Sequence, residues 1–269
     1  MTAPTTRSPA APLRSRSYSG GELLASTSAR LLEGRSMVFA GHGLPTLAVA
    51  LAQQTCAPDI ELVYESGVTG AQPNDLPLSI SDSILVPGAA GVLPMTMLFN
   101  YVLQGQRIDV GFLGAAQIDK YGSLNSTLIG KDWEHPDVKL PGSGGAIEVM
   151  AGAREVFVVM RRHTPKTYVE KLDFCTTPSP YAAGLAAEGA LPFGLGVTRV
   201  ISELGVFSRH SPDEELTLTA LQPGITLEDV REATGWPLKV AEDLTTVVAP
   251  TNAELNGLRR LDPQRHYLR

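Results

Sequence analysis

Cysteine is nearly missing from this chain. Cys56 and Cys175 are the only two in 269 residues. That excludes a disulfide framework and makes two reduced, structural thiols in a cytoplasmic protein the expectation. Long apolar runs are missing too: nothing approaches the ~20 residues a membrane-crossing helix requires. Positive charge is not in surplus either. Lys and Arg number 22 against 28 Asp and Glu, a net charge of -6, so there is no basic face for nucleic acid. Neither nucleic acid nor membrane is expected as a partner. No acid precedes Glu22. Residues 1–19 are rich in Ala, Pro, Ser and Thr, with Arg7, Arg14 and Arg16. They lack the apolar segment of a secretory signal. A transit peptide has a similar composition, but the prolines spoil an amphipathic helix, so a disordered leader is expected over residues 1–19.

What is present suffices for a core: 43% of residues are hydrophobic and 19% charged. There is no repeat and no linker-like stretch, so residues 20–269 are expected to form a single domain. Residues 20–32 carry Leu23, Leu24, Ser28, Leu31 and Leu32 at helical spacing. Residues 36–40, 60–64, 108–113 and 155–160 read as strands. Helices are predicted over 46–54, over 94–104 with a core stripe of Met97, Leu98, Tyr101 and Val102, and over 147–153. Strands alternating with helices argue an α/β fold, an open, mainly parallel sheet with flanking helices. From Val197 onward, three short strands read as a small antiparallel sheet. Thr226 and Thr251 open helices with capping boxes, and the tail, Arg259 to Arg269, is expected to be basic and mobile.

The stretch Glu61-Leu62-Val63-Tyr64-Glu65-Ser66-Gly67 ends a buried strand at an acid and a glycine. Ligands of open α/β sheets bind beyond the carboxyl ends of strands. A working carboxylate belongs there, as does a solvated loop acid. Gly41-His42-Gly43 also follows a strand, but a dinucleotide fingerprint needs a third glycine where Thr46 stands; His42 suits a pocket or a plain loop. Gly114 to Thr127, with Gln117 and Asn125, suits a pocket wall or tight turns. Gly142-Ser143-Gly144-Gly145-Ala146 leaves consecutive backbone N–H groups uncovered. It reads equally as an anion nest or a flexible loop.

Together with Pro223-Gly224-Ile225 and Thr234-Gly235-Trp236, these stretches occur in an order that resembles the β subunit of family I CoA-transferases, nearest the glutaconate CoA-transferase type, over roughly residues 20–242. The resemblance implies the CoA-transferase fold. It implies Glu65 as a nucleophile that forms a glutamyl-CoA thioester in ping-pong exchange. Gly142, Gly144, Gly145 and Ala146 become the oxyanion and CoA-binding segment, and Gly41, Gly43, Gln117 and Asn125 the pocket. Coenzyme A enters as a thioester substrate exchanged with a dicarboxylate or branched acid; no tightly bound cofactor and no metal are implied. The partner is the CoA-transferase α subunit, which completes the site. Alternatives on the same fold are an acyl-CoA hydrolase, a ring-opening or decarboxylase subunit, and a non-catalytic scaffold. The decarboxylase branch carries Cys where Glu65 stands here.

Overall fold

The structure, a computed structural model, describes residues 17–41, 43–72, 76–180, 194–211 and 213–269. In chain order the elements are α1 (Gly20–Arg30), β1 (Met37–Phe39), α2 (Leu44–Gln54), β2 (Glu61–Val63), β3 (Val68–Thr69), β4 (Gly91–Val92) and α3 (Met95–Met97). A π-helical stretch, Leu98–Leu103, continues α3. Next come β5 (Val110–Leu113), β6 (Gln117–Ile118), β7 (Leu124–Asn125), β8 (Leu128–Ile129), β9 (Val138–Lys139), α4 (Ala146–Gly152) and β10 (Glu155–Met160). The C-terminal part adds β11 (Val197–Ser202), β12 (Gly205–Ser208), β13 (Thr217–Leu221), α5 (Leu227–Ala233), β14 (Lys239–Thr246) and α6 (Asn252–Leu261).

The short apolar runs pair as one ten-stranded sheet, ordered β14-β13-β12-β11-β10-β5-β1-β2-β3-β4. Its centre, β11 through β2, is parallel, and antiparallel neighbours extend it on both sides. The strands from Val197 onward therefore extend the main sheet rather than forming a separate one, and β14 joins as an unforeseen parallel edge. Because side chains alternate along a strand, Val38, Leu62 and Tyr64 pack on one face with α1, α2 and α6. Phe39 and Val63 pack on the other, against Leu98, Leu103, Val149 and Met150. Helix α2 is apolar almost all round and buried from Leu44 to Ala52 except at Pro45, as a helix between a sheet and two other helices must be.

Two details of the outer helices differ from the sequence reading. The stripe of α3 is rotated: Leu98 is buried, but Met97 and Tyr101 are exposed, Tyr101 at 71%. A π-helical turn changes which residues share a face, and the prediction assumed 3.6 per turn. The tail is folded. Asp262 accepts N–H bonds from His266 (2.8 Å), Tyr267 (2.8 Å) and Leu268 (3.1 Å), and Leu268 is fully buried. The expected leader lies outside the described residues up to residue 16; of the remainder, Ser19 caps α1 and donates its hydroxyl to the Leu268 carbonyl.

The reason the tail folds is charge lacing between α1 and α6. Each opens with a capping box whose acid is Glu22 or Glu254. Each box acid also pairs with an arginine in the last turn of the other helix: Glu22 with Arg259 (2.7 Å), Glu254 with Arg30 (2.6 Å). Arg265 adds a second cation 3.2 Å from Glu22. Acids at helix starts and bases at helix ends also suit both macrodipoles. Burial pushes the Glu22 carboxyl up. The hydrogen bonds from Arg259 and the Ser19 N–H, with the charges of Arg259 and Arg265, outweigh it and hold the group below its ordinary value. A lowered folded value means the stabilisation is complete above the unfolded carboxyl range and disappears as pH falls through the folded one. Glu22→Gln should lose about 2 kcal/mol in urea unfolding at pH 7, less than a fully buried pair because Arg259 is half in solvent. The gap between variant and parent should close below about pH 4. A gap unchanged down to pH 3 would contradict the lacing account.

Candidate active site

Glu65 sits in a three-residue hairpin loop, Glu65-Ser66-Gly67, between β2 and β3. The Gly67 N–H donates to the Tyr64 carbonyl (2.9 Å) and the Tyr64 N–H to the Val68 carbonyl (2.9 Å). Such loops close on a residue in the left-handed region. Gly67 has φ 100°, and a Cβ there would lie 1.9 Å from the Leu93 carbonyl oxygen, so only glycine fits. Strand alternation continued past Val63 and Tyr64 puts Glu65 on the face of Phe39, Val63 and α4. Tyr64 holds the turn from behind: its buried hydroxyl meets Thr46 Oγ1 at 3.2 Å, and Thr46 donates to the Gly41 carbonyl at 2.9 Å. Burial pushes the Tyr64 phenol up to about 12, which keeps it a neutral donor.

The glycine-rich loop comes to Glu65 on that face. A Cβ built on Gly145 would lie 3.1 Å from Glu65 Oε1 and 2.8 Å from Phe99 Cζ; one on Gly144 would lie 3.9 Å from Glu65 Oε1. Among the described residues, no acceptor takes the N–H of Gly144 or Gly145. The other two residues assigned to this segment differ. The Gly142 N–H is bonded to the Ser126 carbonyl (2.9 Å) and the Ala146 N–H to the Ser143 carbonyl (3.0 Å), so neither can donate to an oxyanion. Ser126 also donates its hydroxyl to the Gly142 carbonyl (2.8 Å) and thereby clamps the loop from both sides.

The expected pocket residues lie elsewhere. Gln117 and Asn125 are buried and bonded to each other (2.8 Å), and Gln117 also donates to Asp173 (3.1 Å). Asn125 donates to the Leu128 carbonyl and accepts from the Thr127 N–H. Their amides hold the segment that carries Ser126 instead of facing substrate. Gly43, at φ 95°, caps α2 beside the Tyr267 ring, and Gly41 is tied to Thr46; neither lines the cleft at Glu65. His42 lies outside the described residues. Cys56 donates to the Ala29 carbonyl, whereas Cys175 is exposed and not a packing residue.

That cleft has a volume of about 430 Å³. Glu65, Gly144 and Gly145 share it with Met95, Thr96, Phe99, Asn100 and Gln104 from the helical segment after β4, and with Glu148 from α4. The sequence reading missed all of the latter, having taken the segment as a core stripe. The signal it passed over was the polar set Thr96, Asn100 and Gln104 at intervals of four. A larger hollow of about 850 Å³ lies between α1 and the outer strands. Several of its charges are already paired, Arg30 with Glu254 and Lys239 with Glu215. Among the described residues no cluster of three His, Cys, Asp or Glu could hold a metal, and no helix is long and apolar enough to cross a membrane.

A carboxylate beside two bare amides is an arrangement for acyl transfer, and similarity to known proteins names the family. Residues 22–233 match the Coenzyme A transferase family. The chain belongs to that family. It is 43% identical to the β-type subunit of the 3-oxoadipate CoA-transferase of Pseudomonas knackmussii, over 91% of this chain and 94% of that one. It superposes on the glutaconate coenzyme A-transferase of Acidaminococcus fermentans with a TM-score of 0.85 at 28% identity, covering 94% of this chain and 98% of that one. The decarboxylase AibA/AibB follows at 0.79 and 26%, covering 93% and 97%. Within this CoA-transferase fold, Gly145→Ala should cost about a hundredfold or more in turnover. Its methyl displaces Phe99 and crowds Glu65, while circular dichroism stays that of the parent. Full activity in the alanine variant would remove Gly145 from the site.

Proposed function

We propose that this chain is the β subunit of a two-chain CoA-transferase and that Glu65 is its nucleophile. The observation that carries the reading is the convergence of Glu65 with the unbonded N–H groups of Gly144 and Gly145 in one cleft. The Glu65 carboxylate attacks the thioester carbonyl of an acyl-CoA, and the carbonyl oxygen takes up the negative charge. The two amides are placed to receive that charge, and losing one such donor typically costs about 3 kcal/mol of barrier. Collapse expels CoA thiolate and leaves a mixed anhydride of the acyl group and Glu65. The thiolate then attacks the Glu65 carbonyl, freeing the donor acid and leaving a glutamyl-CoA thioester. The acceptor carboxylate runs the same steps backwards. Each acyl exchange is thus split into two easier ones.

The partner is an α subunit that closes the cleft. The relatives of this chain are named as one of the two kinds of chain in their enzymes, and the cleft is open on this chain alone. The acid exchanged is a dicarboxylic acid, as the name of the 43%-identical relative suggests for that enzyme. Two cysteines not bonded to each other suit a cytoplasmic site of action.

The reading is tested on the co-expressed α–β pair. Glu65→Gln should lower kcat at least about a thousandfold, and the parent should give parallel lines in double-reciprocal plots with donor and acceptor varied. Intersecting lines, or near-parent activity of the variant, would refute the covalent route. Release of CO2, or of free CoA with no acceptor present, would shift the reading to decarboxylation or hydrolysis.

A further inference from the structure

The helical segment that borders the cleft is wound more widely than an α-helix. The Gln104 N–H donates to the Phe99 carbonyl (2.9 Å) and the Arg107 N–H to the Val102 carbonyl (3.0 Å), both five residues back. Such π-turns are rare and gather at functional sites. A wider turn brings residues four apart closer to one line. Thr96, Asn100 and Gln104 are four apart, and all three line the cleft that holds Glu65. Phe99, beside them, reaches to the Gly145 backbone. The wall opposite the glycine loop therefore carries two side-chain amides over an apolar patch of Phe99 and Met95. The same cleft contains a second carboxylate, Glu148, and no Lys or Arg.

This set of groups has a definite preference. An amide both donates and accepts, so it pairs with an oxo or hydroxyl oxygen at no charge cost. A saturated chain leaves those amides unpaired once the cleft closes, which is the unfavourable case. A carboxylate pressed into the cleft would meet Glu148 and no cation. We propose that Asn100 and Gln104 are the acyl-specificity residues of this site, and that they read a neutral oxygen on the acyl chain close to the thioester carbon. Any carboxylate at the far end of the acyl group is then met by a cation outside this cleft. This inference rests on the CoA-transfer reading of Glu65.

The test uses the co-expressed α–β pair with the full-length chain. It compares kcat/KM for a 3-oxoacyl-CoA and for the saturated acyl-CoA of the same carbon skeleton, in parent, Asn100→Leu, Asn100→Asp and Gln104→Leu. Asn100→Asp keeps the size of the side chain and removes its donors. The oxo-over-saturated ratio should fall about tenfold or more in both Asn100 variants and by a smaller factor in Gln104→Leu. A ratio within about twofold of the parent in all three would overturn the proposal. The same ratio is read from dissociation constants of the two thioesters on the Glu65→Gln pair, with and without Asn100→Leu. If the parent moves no CoA, the reading of Glu65 fails, and the binding ratio still decides the role of the amides.

Discussion

Between the Glu65 carboxylate and the backbone of Gly145 there is no room for a side chain, and the site depends on that gap. A carboxylate is a poor nucleophile while water surrounds it, and an oxyanion is costly unless donors already point at its position. Bringing Glu65 within van der Waals distance of a bare stretch of backbone meets both needs with the same atoms. The rest of the local architecture keeps the two sides of the gap in place. Gly67 and the Leu93 carbonyl fix the turn that carries Glu65, and Tyr64 and Thr46 brace it from the opposite face of the sheet. Ser126 holds Gly142 by two bonds, and Gln117 and Asn125 hold the segment that bears Ser126.

The sheet supplies the distance scale. Parallel strands β1, β2 and β5 end at one level, so the loops after them and the glycine loop before α4 meet beyond the carboxyl ends, where open α/β sheets place their ligands. Period-two alternation then selects the face. Tyr64 is committed to the α1–α2 side, which leaves Glu65 for the side of Phe99 and α4. On the first side the fold is closed by reciprocal pairs between the capping acids of α1 and α6 and the arginines that end them. That is why the last residues of the chain pack against its first helix.

Local signals were legible in the sequence and long-range ones were not. The buried strands announce themselves as apolar runs that stop at glycine or acid, and Glu65, Gly144 and Gly145 stand out by residue type alone. Gln117 and Asn125 were misplaced because an amide after a strand suits a pocket wall and a buried network equally well. What decides is Asp173 and the Leu128 carbonyl, and the Asp173 contact cannot be seen locally. Gly142 and Ala146 share the composition of a nest, yet their N–H groups are spent on Ser126 and Ser143. The tail read as mobile because Arg259 and Arg265 have their partner, Glu22, at the other end of the chain. Met97 and Tyr101 were misassigned because a π-turn has no signature in hydrophobic periodicity.

The measurement that bears most directly on the account is intact-mass analysis of the co-expressed α–β pair. The pair is incubated with acyl-CoA and treated with borohydride or hydroxylamine, and the modified peptide is then mapped. The account predicts one modification, on Glu65, that forms only when acyl-CoA is present and is absent from Glu65→Gln. Exchange of CoA between acids with no adduct at Glu65, or with an adduct on another residue, would contradict it.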